Sequence, residues 1–209
     1  MTIEHPTAQQ CHSCSAHLEH RLYCGSCEKI QQLGKGDDYF TIFEHPRQFK
    51  LDEAVVEQAF ETLIMALHPD FYATAEPTEQ ALSLEHTALL HEAKNALFNP
   101  YLRGRYLLSL LVPELGASTS QPPQDFLIQT FEWQETLEQA QTSGGDLSGV
   151  EQVVSGEQQT VEDSLETQFQ QLETYADQEE LVEAIGANLG KLKFLLKLQE
   201  RINDIKKNR

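Results

Sequence analysis

The stretch DEAVVEQAFETLIMALHPDF, Asp52 to Phe71, decides the architecture of the chain. Val56, Phe60, Leu63 and Leu67 recur at intervals of four, three and four, the spacing of one packed helical stripe. Pro69 denies His68 a helical backbone and removes its own N–H, so the helix predicted over Asp52 to Leu67 stops there. A second helix is expected from Thr78 to Leu97, burying Leu82, Leu89, Ala93, Ala96 and Leu97. The two pair antiparallel in this reading, which leaves His68-Pro69-Asp70 on a rigid, exposed turn at their tip. His68 and Asp70 are side-chain types used in acid–base catalysis, but no nucleophile or phosphate-binding glycine loop accompanies them. The turn reads as a surface for a partner, and the chain as no enzyme.

Working outward, a short helix over Asp37 to Glu44 carries Tyr39, Phe40 and Phe43, and a helix after Pro100 carries Leu102, Tyr106 and Leu110. Gly34-Lys35-Gly36 and the proline-rich stretch from Val112 to Pro123 punctuate the chain. They divide it into segments 1–36, 37–112, a linker 113–124, and 125–209. In the last segment a helix from Gln124 to Ala140 turns Phe126, Thr130, Trp133, Leu137 and Ala140 inward. Leu127, Ile128 and Phe131 then lie on its opposite face, among Glu132, Glu135 and Gln139. After a glycine-rich loop from Ser143 to Gly149, Val161, Leu165, Phe169 and Leu172 mark a middle helix. The final helix, Leu181 to Ile205, buries Leu181, Ile185, Leu192 and Leu195, with Phe194 and Leu198 pointing away. These three helices make a bundle. The second apolar stripe of the first of them has two explanations: burial on two sides, or an exposed docking patch edged by carboxylates. The docking reading is favoured.

The cysteines are Cys11, Cys14, Cys24 and Cys27, two C-x2-C pairs nine residues apart. Four thiolates at that spacing close around one tetrahedral Zn2+ ion at ~2.3 Å, with no open position for catalysis. Tyr23, Gly25 and Gly34 suit the knuckle turns, and any strands are confined to this segment. Two disulfides or an iron–sulfur cluster are the alternatives on the same thiols. His5, His12, His17 and His20 are read as spectators. The ion staples a stretch too short for its own core. Docking of a partner and self-association are the functional readings of the segment, and the structural one is favoured.

The net charge is −18, and from Tyr106 to Gly190 there is no Lys or Arg. Such a surface repels phosphate backbones and anionic lipid, which excludes nucleic acid and membrane as partners. No run reaches the roughly 18 apolar residues of a membrane span, and residues 1–10 lack the features of a signal or transit peptide. The expected location is the bacterial cytoplasm, or the mitochondrial matrix if a presequence has been removed.

Short helix, long helix, His-Pro-Asp, long helix, short helix is the order of a J-domain. Asp38-Tyr39-Phe40, His68-Pro69-Asp70-Phe71, Arg103-Gly104-Arg105-Tyr106-Leu107-Leu108 and Phe126-Leu127-Ile128 resemble the HscB-type iron–sulfur co-chaperone family. The cysteine segment is similar to the zinc module at the front of some members. The resemblance implies a mainly α fold: a four-cysteine zinc knuckle, a four-helix J-domain and a C-terminal three-helix bundle. It implies a co-chaperone that delivers an IscU-type iron–sulfur scaffold protein to a DnaK-type (HscA-like) chaperone and activates its ATPase. His68, Pro69 and Asp70, with Lys94, Arg103 and Arg105 near them, would meet the chaperone. Residues matching Leu127, Ile128, Phe131, Glu132, Glu135 and Phe194 bind the scaffold in that family, the face already singled out by helical geometry. Two departures stand out. An acidic position of the family pattern is Gln139 here, and the helix before the tripeptide has no basic residue, with Ala59 and Met65 where arginine is common. The second departure keeps open a J-like adaptor or zinc-binding interaction protein without ATPase stimulation.

Overall fold

A computed structural model describes residues 10–113, 122–172 and 178–208. The described residues form seven α-helices and one 3-10 turn, and pairing outside the helices is limited to isolated bridges in the cysteine segment. Two compact units result. One holds the residues up to Arg47 with Leu51–Asn99, and the other holds Gln48–Lys50 with the residues from Pro100 onward. Most of the predicted linker 113–124 lies outside the described residues; its last residue, Gln124, already opens a helix.

In the first unit α1 (Tyr39–Ile42) is a single turn. Asp38 caps it by accepting from the Phe40 and Thr41 N–H groups, while the Thr41 hydroxyl accepts from the Asp38 N–H. The longer helix expected to Glu44 does not form, because Glu44 takes a left-handed φ of 55°. Helix α2 (Glu53–Ala66) starts at the Asp52 cap and buries the expected stripe of Val56, Phe60 and Leu63, continued by Leu67. Its partner α3 (Pro77–Phe98) runs antiparallel: Lys94 Nζ meets Glu57 Oε1 at 2.6 Å at one end, and Ser83 Oγ donates to Leu67 O at 2.7 Å at the other.

The buried side of α3 differs from the expected one. Ser83, His86, Leu90, Ala93 and Leu97 face inward, whereas Leu82 and Leu89 are half-buried. Ser83 and His86 win inner positions because each hydrogen-bonds a backbone carbonyl far away in sequence, which removes the cost of burying a polar group.

In the second unit α4 (Pro100–Leu111) packs on α7 (Gln178–Lys207), which also packs on α5 (Gln124–Ser143) and most extensively on α6 (Ser148–Leu172). Helix α4 also turns an unexpected face inward: Tyr101, Arg103, Gly104, Leu107 and Leu108 are buried, while Leu102, Tyr106 and Leu110 are only partly covered. Gly104 explains the rotation. A Cβ placed there would lie 2.5 Å from Leu189 Cδ2 and 3.2 Å from Phe49 Cε2, so a larger residue would push those buried side chains aside. Helix α5 buries Phe126, Thr130, Trp133, Leu137 and Ala140 as expected, and Gly144, at φ 70°, closes it. In α7 Leu198 is buried, contrary to expectation. It lies three residues after Leu195 and four before Ile202, on the same stripe.

Candidate functional site

The tripeptide is displayed as a turn fixed from behind. Helix α2 ends at the Leu67 cap, and His68 is extended, at φ −60° and ψ 129°, as a residue before proline must be. Pro69–Tyr72 then forms the 3-10 turn, with the Asp70 N–H donating to His68 Nδ1 at 3.3 Å. In that contact Nδ1 is the acceptor. Behind the turn, Tyr72 Oη donates to Ala66 O at 3.1 Å, and burial pushes the Tyr72 phenol up to about 12. Leu67 O accepts from both Ser83 and Thr87. The carbonyls that end α2 are thereby satisfied from inside, and the Asp70 side chain stays 90% exposed. Phe71 and Met65, both exposed, flank the tripeptide.

The basic residues named with this turn have other attachments. Lys94 lies 4.3 Å above the Phe60 ring while bonded to Glu57, so it braces α2 against α3. Arg103 belongs to the second unit and is 7% exposed; its Nε donates to Phe49 O at 2.7 Å and its guanidinium covers the Phe49 ring. A cation so enclosed supports its own unit. Arg105, on the same helix, is exposed, with its guanidinium 5.8 Å from the Tyr101 ring centre.

On α5 the second apolar stripe is uncovered. Phe131 is 69% and Ile128 56% exposed, Leu127 is half-buried, and Glu132 and Glu135 stand exposed beside them. Phe194 sits half-buried on α7, a neighbour of α5. Gln139 Nε2 lies 3.5 Å from Glu135 Oε1, one turn away. Large apolar side chains edged by carboxylates match a protein-docking surface.

The four cysteines converge as free thiols. Cys11 and Cys27 Sγ are 3.5 Å apart, Cys14 and Cys24 Sγ 3.7 Å, and all four sulfurs lie within 4.8 Å of one another. A tetrahedron of thiolates at the zinc–sulfur distance has edges of about 3.8 Å, so the cluster fits such an ion. The two knuckles repeat one pattern. Cys11 N–H donates to Ala16 O and Cys24 N–H to Lys29 O, while Cys11 O accepts from Ser15 and Cys24 O from Glu28. Ser15 and Glu28, at φ 59° and 60°, make the left-handed turns, not the glycines anticipated from sequence. Burial opposes ionisation of Cys11, but the Cys14 and Ser13 N–H groups prevail and lower its pKa to about 6. For Cys27 the Lys29 N–H favours the thiolate, yet burial and the neighbouring thiols push it up to about 12. One thiolate forms readily and the last only with a cation to offset the crowding, as a metal-thiolate site requires. Among the described residues no histidine joins the cluster.

The described residues thus combine a helical pair presenting a tripeptide, a four-thiol knuckle and a helical bundle with an uncovered apolar face. Residues 122–203 match the HscB C-terminal oligomerisation domain. The chain is 29% identical over 185 residues to the iron-sulfur cluster co-chaperone protein HscB of Homo sapiens, covering 88% of this chain and 75% of that protein. It is 29% identical over 168 residues to the co-chaperone protein HscB homolog of Bordetella petrii, covering 79% and 94% respectively. The crystal structure of the human co-chaperone protein HscB superposes with a TM-score of 0.72 at 25% identity, over 95% of this chain and 98% of that one. Over most of its length the chain is similar to HscB iron–sulfur cluster co-chaperones.

Proposed function

We propose that this protein delivers an IscU-type iron–sulfur scaffold protein to a DnaK-type, HscA-like chaperone and stimulates that chaperone's ATPase. The observation that carries the reading is the pairing of a braced, outward His68-Pro69-Asp70 turn with an uncovered Leu127, Ile128 and Phe131 face on one chain. His68 and Asp70 contact the chaperone while Pro69 holds the turn, favouring the hydrolysis-competent state. Leu127, Ile128, Phe131 and Phe194 supply apolar contact to the scaffold, and Glu132 and Glu135 set its orientation through charge. Holding both partners raises the effective concentration of each near the other.

The ion we assign to Cys11, Cys14, Cys24 and Cys27 is Zn2+, whose chemistry here is structural: it neutralises the thiolates and fixes the knuckles. The proposed location is the bacterial cytoplasm. A second reading, an adaptor without ATPase stimulation, draws on α2, whose sequence offers Glu53, Glu57 and Glu61 and no cation.

Single-turnover ATP hydrolysis by the chaperone, measured with and without scaffold, tests the proposal. Stimulation by wild type, synergy with scaffold, and loss of both in His68→Gln are expected. Equal rates for wild type and variant overturn the stimulation and leave the adaptor reading.

A further inference from the structure

Two sets of hydrogen bonds, joined only through the body of α3, link the first cysteine knuckle to the tripeptide. His12, between Cys11 and Cys14, donates its backbone N–H to Gln31 Oε1 at 3.1 Å, and its Nδ1 meets the same oxygen at 2.9 Å. Because two donors converge on it, that atom is the amide oxygen, and Gln31 Nε2 donates to Lys29 O at 2.8 Å. The Gln31 N–H donates to Leu22 O, so both ends of its side chain and its own N–H are engaged while the residue is buried. Its remaining group, the carbonyl, accepts from His86 Nε2 of α3 at 2.8 Å. On either side of His86 along α3 stand Ser83 and Thr87, whose hydroxyls both donate to Leu67 O, the carbonyl immediately before His68.

His86 is an expensive way to fill that position. It is 2% exposed, and its Nδ1 is the one buried side-chain polar atom without a partner among the described residues. A leucine would occupy the space with no such loss. What leucine could not supply is the donor to Gln31.

We propose that His86 is a positioning residue that couples the metal knuckle to the His68-Pro69-Asp70 turn, so that metal occupancy sets how firmly the turn is held. The proposal rests on the metal-binding reading of the cysteines and on no particular partner. Metal closes the Cys11–Cys14 knuckle, fixes His12 and Gln31, and through His86 holds the register of α3 from which Ser83 and Thr87 grip Leu67. When the metal leaves, the Gln31 carbonyl is freed, α3 loses its anchor, and the cap behind His68 loosens. Coupling of this kind is reciprocal, so holding the turn must in return favour the metal.

The full chain is loaded with zinc, its stoichiometry measured, and amide hydrogen exchange followed at Asp70 and Phe71 before and after chelation. These amides close the turn, through Asp70 N to His68 Nδ1 and Phe71 N to His68 O. In wild type chelation speeds their exchange about fivefold or more. In His86→Leu exchange is fast with or without zinc, and zinc affinity drops by the same factor; His86→Gln, which keeps an amide donor, recovers part of the response. Should His86→Leu fail to fold, Ser83→Ala combined with Thr87→Val cuts the last link and must likewise abolish the response to chelation. Turn amides indifferent to chelation in a zinc-loaded wild type, or a full response in a folded His86→Leu, overturn the coupling alone. A chain that takes up no zinc overturns the metal-binding reading and the coupling with it.

Discussion

Replacing Leu127 and Phe131 together by alanine separates docking from folding, because both side chains lie on the uncovered face of α5. Full burial of a phenylalanine or leucine side chain is worth about 1.5–3 kcal/mol. Phe131 is 69% exposed, so roughly two-thirds of that value, about 1–2 kcal/mol, is still to be gained on docking. Leu127, half-buried already, adds about 0.5–1 kcal/mol. The sum of about 1.5–3 kcal/mol corresponds to roughly 10- to 100-fold weaker scaffold binding, at 1.4 kcal/mol per factor of ten. Stability should move by no more than about 0.5 kcal/mol, since the positions are on the surface and alanine favours helix. Titration calorimetry against an IscU-type scaffold reads the first quantity and thermal unfolding the second. Trp133→Ala is the contrast: Trp133 lies on the inward face of the same helix, and its loss should destabilise the second unit by about 3–5 kcal/mol. A double variant that melts like wild type and binds scaffold with unchanged Kd refutes the docking assignment.

Three further outcomes are expected. Gly104→Ala forces a Cβ to within 2.5 Å of Leu189, and overpacking of about 1–3 kcal/mol should exceed the gain of about 1 kcal/mol in helix propensity; a raised Tm would contradict the close approach of α4 and α7. Chelation of the zinc-loaded chain should expose four titratable thiols that metal protects, and Cys14→Ser should reduce both zinc uptake and thermal stability. His20 Nδ1 lies 3.0 Å from Glu44 Oε1, and that bond raises the His20 pKa above its usual 6.5. The contribution is therefore complete below pH ~6.5 and lost as pH rises through the raised value, and it amounts to less than about 1 kcal/mol for so exposed a pair. An NMR titration should show the His20 midpoint falling in Glu44→Gln, and an unmoved midpoint would dismiss the pair.

How legible each part is in the sequence depends on whether the residues involved answer to local chemistry. The inward face of α5 follows from a 3.6-residue period alone, and Phe126, Thr130, Trp133, Leu137 and Ala140 take the places that period assigns. The same holds for the end of α2, where Pro69 acts through bonded geometry. On α3 a period drawn through apolar residues misses the face. The true stripe runs through Ser83 and His86, whose burial depends on Leu67 O and Gln31 O, at separations of 16 and 55 residues. Helix α4 escapes the pattern for a related reason: its inner face is organised around Gly104, which scores as no hydrophobe, and Arg103, which scores as surface. The cysteine spacing announces a metal site, but it cannot tell that Ser15 and Glu28 make the left-handed turns.

The salt bridge from Lys94 to Glu57 bears on rates of encounter. It spends a cation of α3 on an anion of α2, a helix that carries no Lys or Arg of its own, so the approach to His68-Pro69-Asp70 is bordered by Glu61 on α2 and by Asp70 itself. Long-range attraction can lift association toward roughly 10⁸–10⁹ M⁻¹s⁻¹ at low salt, whereas unsteered docking proceeds at about 10⁵–10⁶ M⁻¹s⁻¹. A negative approach path gives up that acceleration toward any acidic partner. Added salt should then speed association by shielding the repulsion, the reverse of a steered pair.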